Sequence, residues 1–389
     1  MESYSFQDQG ERAKAFSSVK RVVVKVGTQL LRGVKNSSPE KRIEELIDVL
    51  VDLRQRGLEI ILVSSGAVGF GMTAMQVSAR PKKVDHLQAL AAIGQHRMMS
   101  CYGIACEKHG FHCAQLLLTA ADLHDQGRNR HVTQCVNALL ADGVLPIINE
   151  NDSVCVDEIR VGDNDTLAAY VATMLRADLT VILTTVDGLL FSQPETKELG
   201  ERLSVVTALD DEVFQMARGT DGNQYSVGGM ITKLQAAKIV NLSGEALLIA
   251  GGKDFGTLTK VMNGEDLGTL FLPSRKNRLH SRQRFLAFFS EPAGSLIVDA
   301  GAEKAIGKHN KSLLAGGVLG LTGNFHRGDT VCIVNSERKE LARGIVNFAF
   351  DEVAKICGAQ SSEIAAVLGR EVDDKEIVHR DFLVVTEDG

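Results

Sequence analysis

The chain has 389 residues, of which 44% are hydrophobic and 24% charged, with a formal net charge of −6. That length is too great for a single core and implies two domains. The acidic balance excludes a protein whose main task is to hold a nucleic-acid duplex through many phosphate contacts. With no Trp and 5% aromatic residues, there is no obvious platform on which bases could stack.

The polar stretch Met1–Lys20 lacks the apolar centre of a secretory signal and reads as a loose tail over residues 1–19. No apolar run reaches the roughly 20 residues that cross a bilayer, so no membrane association is expected. The seven cysteines form no C-x-x-C pair and match no zinc spacing. Free thiols and the missing signal together predict a cytoplasmic protein.

From Arg21 the chain alternates apolar runs with amphipathic stretches. A buried strand at Arg21–Val26 precedes a helix that Ser38 caps and Pro39 opens, running to about Arg56. Leu58–Val63 reads as a strand, Val84–His109 as a helix and His112–Leu118 as a strand. A further helix to Leu140, a strand at Val144–Ile148, a helix at Asp163–Arg176 and a strand at Leu179–Leu183 follow. A helix at Gly229–Asn241 and a strand at Glu245–Ala250 close the series. Strands separated by helices of this length predict an α/β fold, a mainly parallel sheet sandwiched by helices.

After Leu272 the pattern changes. Residues 275–290 begin with a polar, basic run and read as a linker, closing a first domain at 20–274. Short strands with turn signals then predict a small, mostly β domain over 291–370. Residues 371–389 read as a C-terminal extension containing one more strand at Phe382–Thr386. From Arg275 onward 16 basic residues meet 16 acidic ones, so RNA is not an expected partner.

The polar, Gly-rich clusters fall at the carboxyl ends of the predicted strands, where open parallel sheets collect ligands. Lys25-Val-Gly-Thr28 places an ammonium beside backbone N–H groups that can receive a phosphate. Ser64-Ser-Gly-Ala67 lets backbone approach an anion. Asn149-Glu-Asn-Asp-Ser153 and Val161-Gly-Asp-Asn-Asp165 concentrate amides and carboxylates suited to the ammonium and carboxylate of an amino acid. Val227-Gly-Gly-Met-Ile-Thr-Lys233 opens a helix with a double glycine and sets Lys233 on its first turn. Two lysines from opposite sides suit the charge that spreads over a moving phosphoryl group. Neither G-x-x-x-x-G-K-[ST] nor a G-x-G-x-x-G after the first strand is present, which argues against a P-loop enzyme and a dinucleotide dehydrogenase. His86, His96 and His131 lie in helical stretches and read as surface or core residues rather than as bases.

These clusters, in this order, resemble the glutamate 5-kinase family of the amino acid kinase superfamily, and Leu321-Thr-Gly-Asn-Phe-His-Arg-Gly-Asp329 resembles a stretch of the PUA domain that such kinases often carry. The resemblance implies the amino acid kinase fold with a C-terminal PUA domain, and transfer of a phosphoryl group from ATP, with Mg2+, to the side-chain carboxylate of L-glutamate, the first step towards proline. It implies that Lys25 and Lys233 flank the transferred group and that Asp165 holds them by charge. Ser65, Gly66, Asp152, Asp163 and Asn164 would bind glutamate. Lys25, Gly27, Thr184, Thr185, Val227, Gly228, Gly229, Met230, Ile231, Thr232 and Lys233 would line the nucleotide. The chain departs from the family pattern at Thr185 and Val227, where many relatives carry an acidic residue and Thr. A homo-oligomer with proline as feedback inhibitor also follows from the resemblance. Two other readings stay open: a kinase for another carboxylate, such as N-acetylglutamate or aspartate, and an RNA-binding PUA-type protein.

Overall fold

The structure is a computed structural model and describes residues 3–32, 37–154, 164–192, 199–218, 229–273, 279–309, 311–372 and 374–386. The chain divides into two compact units, Met1–Leu123 with Gly127–Arg278, and His124–Gln126 with Leu279–Gly389.

In the first unit the strands are β1 (Tyr4–Ser5), β2 (Arg21–Val26), β3 (Glu59–Ser64), β4 (Cys113–Leu118), β5 (Leu145–Glu150), β6 (Leu179–Thr184), β7 (Leu190–Ser192), β8 (Leu199–Arg202), β9 (Val205–Val206), β10 (Ala246–Gly251) and β11 (Thr269–Phe271). The helices are α1 (Gln9–Phe16), α2 (Thr28–Leu31), α3 (Pro39–Gln55), α4 (Ala67–Ala74), α5 (Val84–Lys108), α6 (Ala120–His124), α7 (Gln126–Ala141), α8 (Asn164–Leu175), α9 (Asp211–Arg218), α10 (Met230–Leu242) and α11 (Thr257–Met262). Nine strands form one sheet in the order β1-β9-β11-β10-β6-β2-β3-β5-β4, and β7 pairs with β8 apart from it. From β10 to β4 every neighbouring pair is parallel.

The strands read as continuous apolar runs because both faces are covered. Val22, Val24, Val26, Leu62, Val181 and Leu248 join one core with residues of α3, α5 and α11. The alternate residues Val23, Ile61, Val63, Ile182 and Ile249 are equally buried, and α8 and α10 pack against β2, β6 and β10. Ser38 caps α3 by accepting from the Lys41 N–H, with Pro39 in the first turn, as its sequence predicts.

The N-terminal stretch departs from the loose tail expected of it. β1 pairs with β9, and Arg12 of α1 is 1% exposed. Its guanidinium donates to the carbonyls of Ser204 at 2.9 Å and Leu267 at 2.7 Å. A polar composition concealed one arginine whose two terminal nitrogens are met by carbonyls distant in the chain.

The second unit contains β12 (Gly294–Val298), β13 (Leu313–Leu314), β14 (Val318–Gly323), β15 (Thr330–Val334), β16 (Glu340–Val346) and β17 (Glu376–Val385), with α12 (Ser281–Phe288), α13 (Ala300–His309), α14 (Phe350–Ile356) and α15 (Ile364–Leu368). The strands form one sheet in the order β13-β17-β16-β15-β12-β14. Residues 371–389, read as an extension, supply β17, a strand paired on both sides within that sheet. Part of the basic stretch read as a linker, Ser281–Phe288, is helical and packs on β16 and β17. There Arg282 lies over the Phe382 ring at 4.3 Å, and cation–π contact explains why a basic run need not be a solvated connector. Lys276 and its neighbours 274–278 lie outside the described residues.

Candidate functional site

In register, Val26 of β2 lies beside Ser64 of β3 and Leu183 of β6, Val63 beside Ile148 of β5, and Thr184 beside Gly251 of β10. The strands therefore end together. β2 comes first among the parallel strands and sits between β3 and β6, so the strand order runs outward from it in opposite directions. That switch point opens a crevice at the carboxyl ends, and the polar clusters of the sequence lie around it.

Lys25 is the penultimate residue of β2, and Lys233 lies on the first turn of α10. Both are largely buried, at 8% and 6% exposure, and both reach Asp165. Lys25 Nζ lies 2.5 Å from Asp165 Oδ1, and Lys233 Nζ lies 3.0 Å from Oδ2. Thr232 Oγ1 approaches the same Oδ2 at 3.5 Å and also donates to the Gly229 carbonyl at 2.9 Å. Burial alone would push the Asp165 carboxyl up, but Lys25 and Lys233 outweigh it and hold the group below the ordinary carboxylate range. A buried charge survives only when paired. Here one carboxylate fixes two ammonium groups from distant parts of the chain at one point.

The segment behind Lys25 is held from below. Gly27 caps α2. Arg42 of α3 donates to the carbonyls of Leu30 at 3.0 Å and Gly252 at 3.2 Å, and stacks on Phe255 at 4.1 Å. Thr184 ends β6, and its carbonyl accepts from Gly252 N at 2.7 Å; half-buried Thr185 follows. Gly229 precedes α10 in an extended conformation, so the N–H groups of Met230 and Ile231, at a helix start, lack a partner within the helix.

A second cluster is built of amides. Asn164, the first residue of α8, donates through Nδ2 to Ser65 Oγ at 2.5 Å, to Asn149 Oδ1 at 3.0 Å and to the Ser64 carbonyl at 3.4 Å. Asn149 in turn donates to Gln95 Oε1 at 2.9 Å. Gly66, between Ser65 and α4, has φ 121°, a conformation that other residues rarely adopt. The turn is held by close packing of α4 on α5. A Cβ on Gly94 would stand 1.8 Å from the Ala67 carbonyl, and one on Gly71 1.9 Å from that of Leu90. Half-buried Asp152 lies in the turn just past β5, three residues beyond Asn149.

The structure thus brings together Lys25, Lys233, Asp165 and Thr232 in one group, and Ser65 and Asn164 in another beside Gly66. Asp163, Val227 and Gly228 lie outside the described residues. Asn149 stood in a recognised loop without an assigned role, and Gln95 was missed. Its signal was a polar residue inside the stripe Ala91, Gly94, Met98, Tyr102 of α5, all buried. His86, His96 and His131 are exposed.

A model of the amino acid kinase family matches residues 20–250, and a model of the PUA domain matches residues 294–368. The chain is 43% identical over 369 residues to the glutamate 5-kinase of Thermoanaerobacter sp. (strain X514), covering 95% of this chain and 98% of that one. It is 41% identical over 374 residues to the glutamate 5-kinase of Citrifermentans bemidjiense, covering 96% of this chain and all, 100%, of the relative. Among solved structures, carbamate kinase from Giardia lamblia bound to AMP-PNP is similar at 19% identity and a TM-score of 0.47, over 66% of this chain and 99% of that one. Identity of this degree over nearly the whole of both chains leaves one conclusion about kinship: the chain belongs to the glutamate 5-kinase family, within the amino acid kinases.

Proposed function

We propose that the protein transfers the γ-phosphoryl group of ATP to the side-chain carboxylate of free L-glutamate, giving L-glutamyl 5-phosphate and ADP, the first step of proline biosynthesis. The observation that carries this reading is the adjacency of Asn164 and Asp165 at the start of α8. One belongs to the amide cluster, the other to the lysine pair. A substrate held by the first has its far end next to the second.

The attacking carboxylate is ionised at pH 7 and needs no general base. One of its oxygens forms a bond to the γ-phosphorus, the bond from that phosphorus to the β,γ-bridging oxygen breaks, and ADP takes the electron pair. Negative charge moves across the three equatorial oxygens, and Lys25 and Lys233 stabilise it from two sides. Asp165 sets the spacing of the two ammonium groups before substrate arrives, so little reorganisation is left for the reaction itself.

Gly27, Thr184 and Thr185 line the nucleotide side together with residues 227–233, where the α10 N–H groups and helix dipole favour phosphate. Ser65, Gly66, Asp152, Asp163 and Asn164 take the amino acid. Mg2+ would accompany ATP, held mainly by phosphate oxygens and water; both Asp165 oxygens face lysines, and no group of three His, Cys, Asp or Glu among the described residues makes a cage. When bound, the ion neutralises charge on the β- and γ-phosphates. The reading extends to a cytoplasmic homo-oligomer inhibited by proline, on the strength of the family. Among the described residues no helix is long and apolar enough to cross a membrane.

An acyl phosphate reacts with hydroxylamine to give a hydroxamate. Incubation of the protein with ATP, Mg2+, L-glutamate and hydroxylamine should accumulate γ-glutamyl hydroxamate. Absence of that product while ATP is consumed would rule the reaction out.

A further inference from the structure

One buried side chain is not explained by packing. Gln95 lies in the apolar stripe of α5 and is 8% exposed. Its Oε1 accepts from Asn149 Nδ2 at 2.9 Å, but its Nε2 is buried with no hydrogen-bond partner among the described residues. A buried amide with one half unmet is worse for stability than an apolar side chain of the same shape. Packing alone would favour Met or Leu at this position.

The gain lies in the direction of the hydrogen bonds. An Asn or Gln amide can be turned over, exchanging donor for acceptor. The series Gln95–Asn149–Asn164 takes its direction from one end, and the other end matches it. The backbone carbonyl of Ser64 can only accept, so Asn164 turns its NH2 group towards it. Asn149 therefore offers oxygen to Asn164 and NH2 to α5. Gln95 answers with an oxygen, leaving its own NH2 unmet. Every hydrogen bond described for the Asn164 side chain is consequently donated by Nδ2, and its Oδ1 remains to accept from a ligand. A carbonyl oxygen suits an ammonium; an NH2 group in its place would repel one.

We propose that Gln95 is a positioning residue that contributes to specificity: by accepting from Asn149 it supports the direction that the Ser64 carbonyl sets in the amide series, so that Asn164 presents its oxygen to the α-ammonium of the substrate. This rests on the reading of the protein as a glutamate kinase. It adds that α5, through a residue that need not touch substrate, selects amino acids over simple dicarboxylates.

The test uses the full chain and compares L-glutamate with glutarate, the same dicarboxylate without the ammonium. Gln95→Met and Gln95→Leu remove the acceptor and keep the bulk; Gln95→Glu keeps an acceptor. In the first two, KM for glutamate should rise on the order of 10-fold, and the preference for glutamate over glutarate in kcat/KM should fall by a similar factor. The KM for ATP and kcat should stay within about twofold, while Tm falls modestly because Asn149 Nδ2, buried, loses its acceptor. Gln95→Glu should keep the preference. An unchanged preference in Gln95→Met, or a Gln95→Glu variant that loses the preference as fully as the apolar variants do, would overturn the proposal. An unsubstituted protein inactive with glutamate would instead sink the kinase reading itself.

Discussion

Asn164 and Asp165 are consecutive residues at the start of α8, yet their side chains enter different networks. Asn164 joins Ser65 and Asn149, while Asp165 lies between Lys25 and Lys233. Successive residues on a helix point about 100° apart, so one helix start serves two adjoining regions of the crevice. A shift of α8 would disturb both at once, and its residues from Leu167 to Val171 are almost all buried.

Lys25→Ala and Lys233→Ala should each lower kcat on the order of 10²-fold or more, with a much smaller rise in KM for glutamate. Interactions made chiefly in the transition state act on kcat. Steady-state kinetics of the two variants decide it, and near-normal turnover in either removes that lysine from the mechanism.

Asn164→Ala and Asp152→Ala should weaken glutamate binding on the order of 10-fold, as expected for losing a hydrogen bond to a charged group, while ATP binding changes little. Calorimetry with each ligand separately is the check. A fall in ATP affinity as large as that for glutamate would show that these residues do not belong to the amino-acid side.

Asp165→Asn keeps shape and removes charge. The carboxyl is held below its ordinary value in the folded protein, burial opposing and Lys25 and Lys233 prevailing. Such a group stabilises the fold above its unfolded value, near 3.9, and loses that contribution as pH falls through the lower folded value. The variant should therefore be less stable than the unsubstituted protein at pH 7, with the difference narrowing below about pH 4. Denaturant titrations across that range measure it. A difference independent of pH would mean that charge pairing is not what Asp165 contributes.

Gly94→Ala should destabilise by about 1–3 kcal/mol, because the added Cβ would stand 1.8 Å from the Ala67 carbonyl. Moving α4 off α5 also moves Ser65 and Gly66, so KM for glutamate should rise with the loss of stability. Chemical denaturation alongside kinetics tests both parts, and a variant unchanged in both would show that the contact does not hold the turn.

Much of this was legible because it is local. Val22–Val24 are β-branched and apolar up to Lys25, Ser38-Pro39 is a helix start in any context, and Gly-rich turns follow strand ends. Asp165 could be assigned a partner only through family resemblance, since Lys25 and Lys233 meet it through tertiary structure. Arg12 was hidden for the opposite reason: its carbonyl partners, Ser204 and Leu267, lie far along the chain, and a polar stretch gives no sign of them. β17 was read as an extension because its pairing with β13 and β16 is non-local. Gln95 showed only as an interruption in an apolar stripe, a pattern that does not say which of its two amide atoms is in use.

The central claim is that glutamate is the phosphoryl acceptor at the crevice around Asp165. ADP release from ATP and Mg2+, measured with the purified full chain with no acceptor, with L-glutamate, with L-aspartate and with N-acetyl-L-glutamate, tests it most directly. The account predicts release that depends on glutamate and is far weaker with the other two acids. Release that is the same without any acceptor, or greatest with aspartate or N-acetylglutamate, would contradict it.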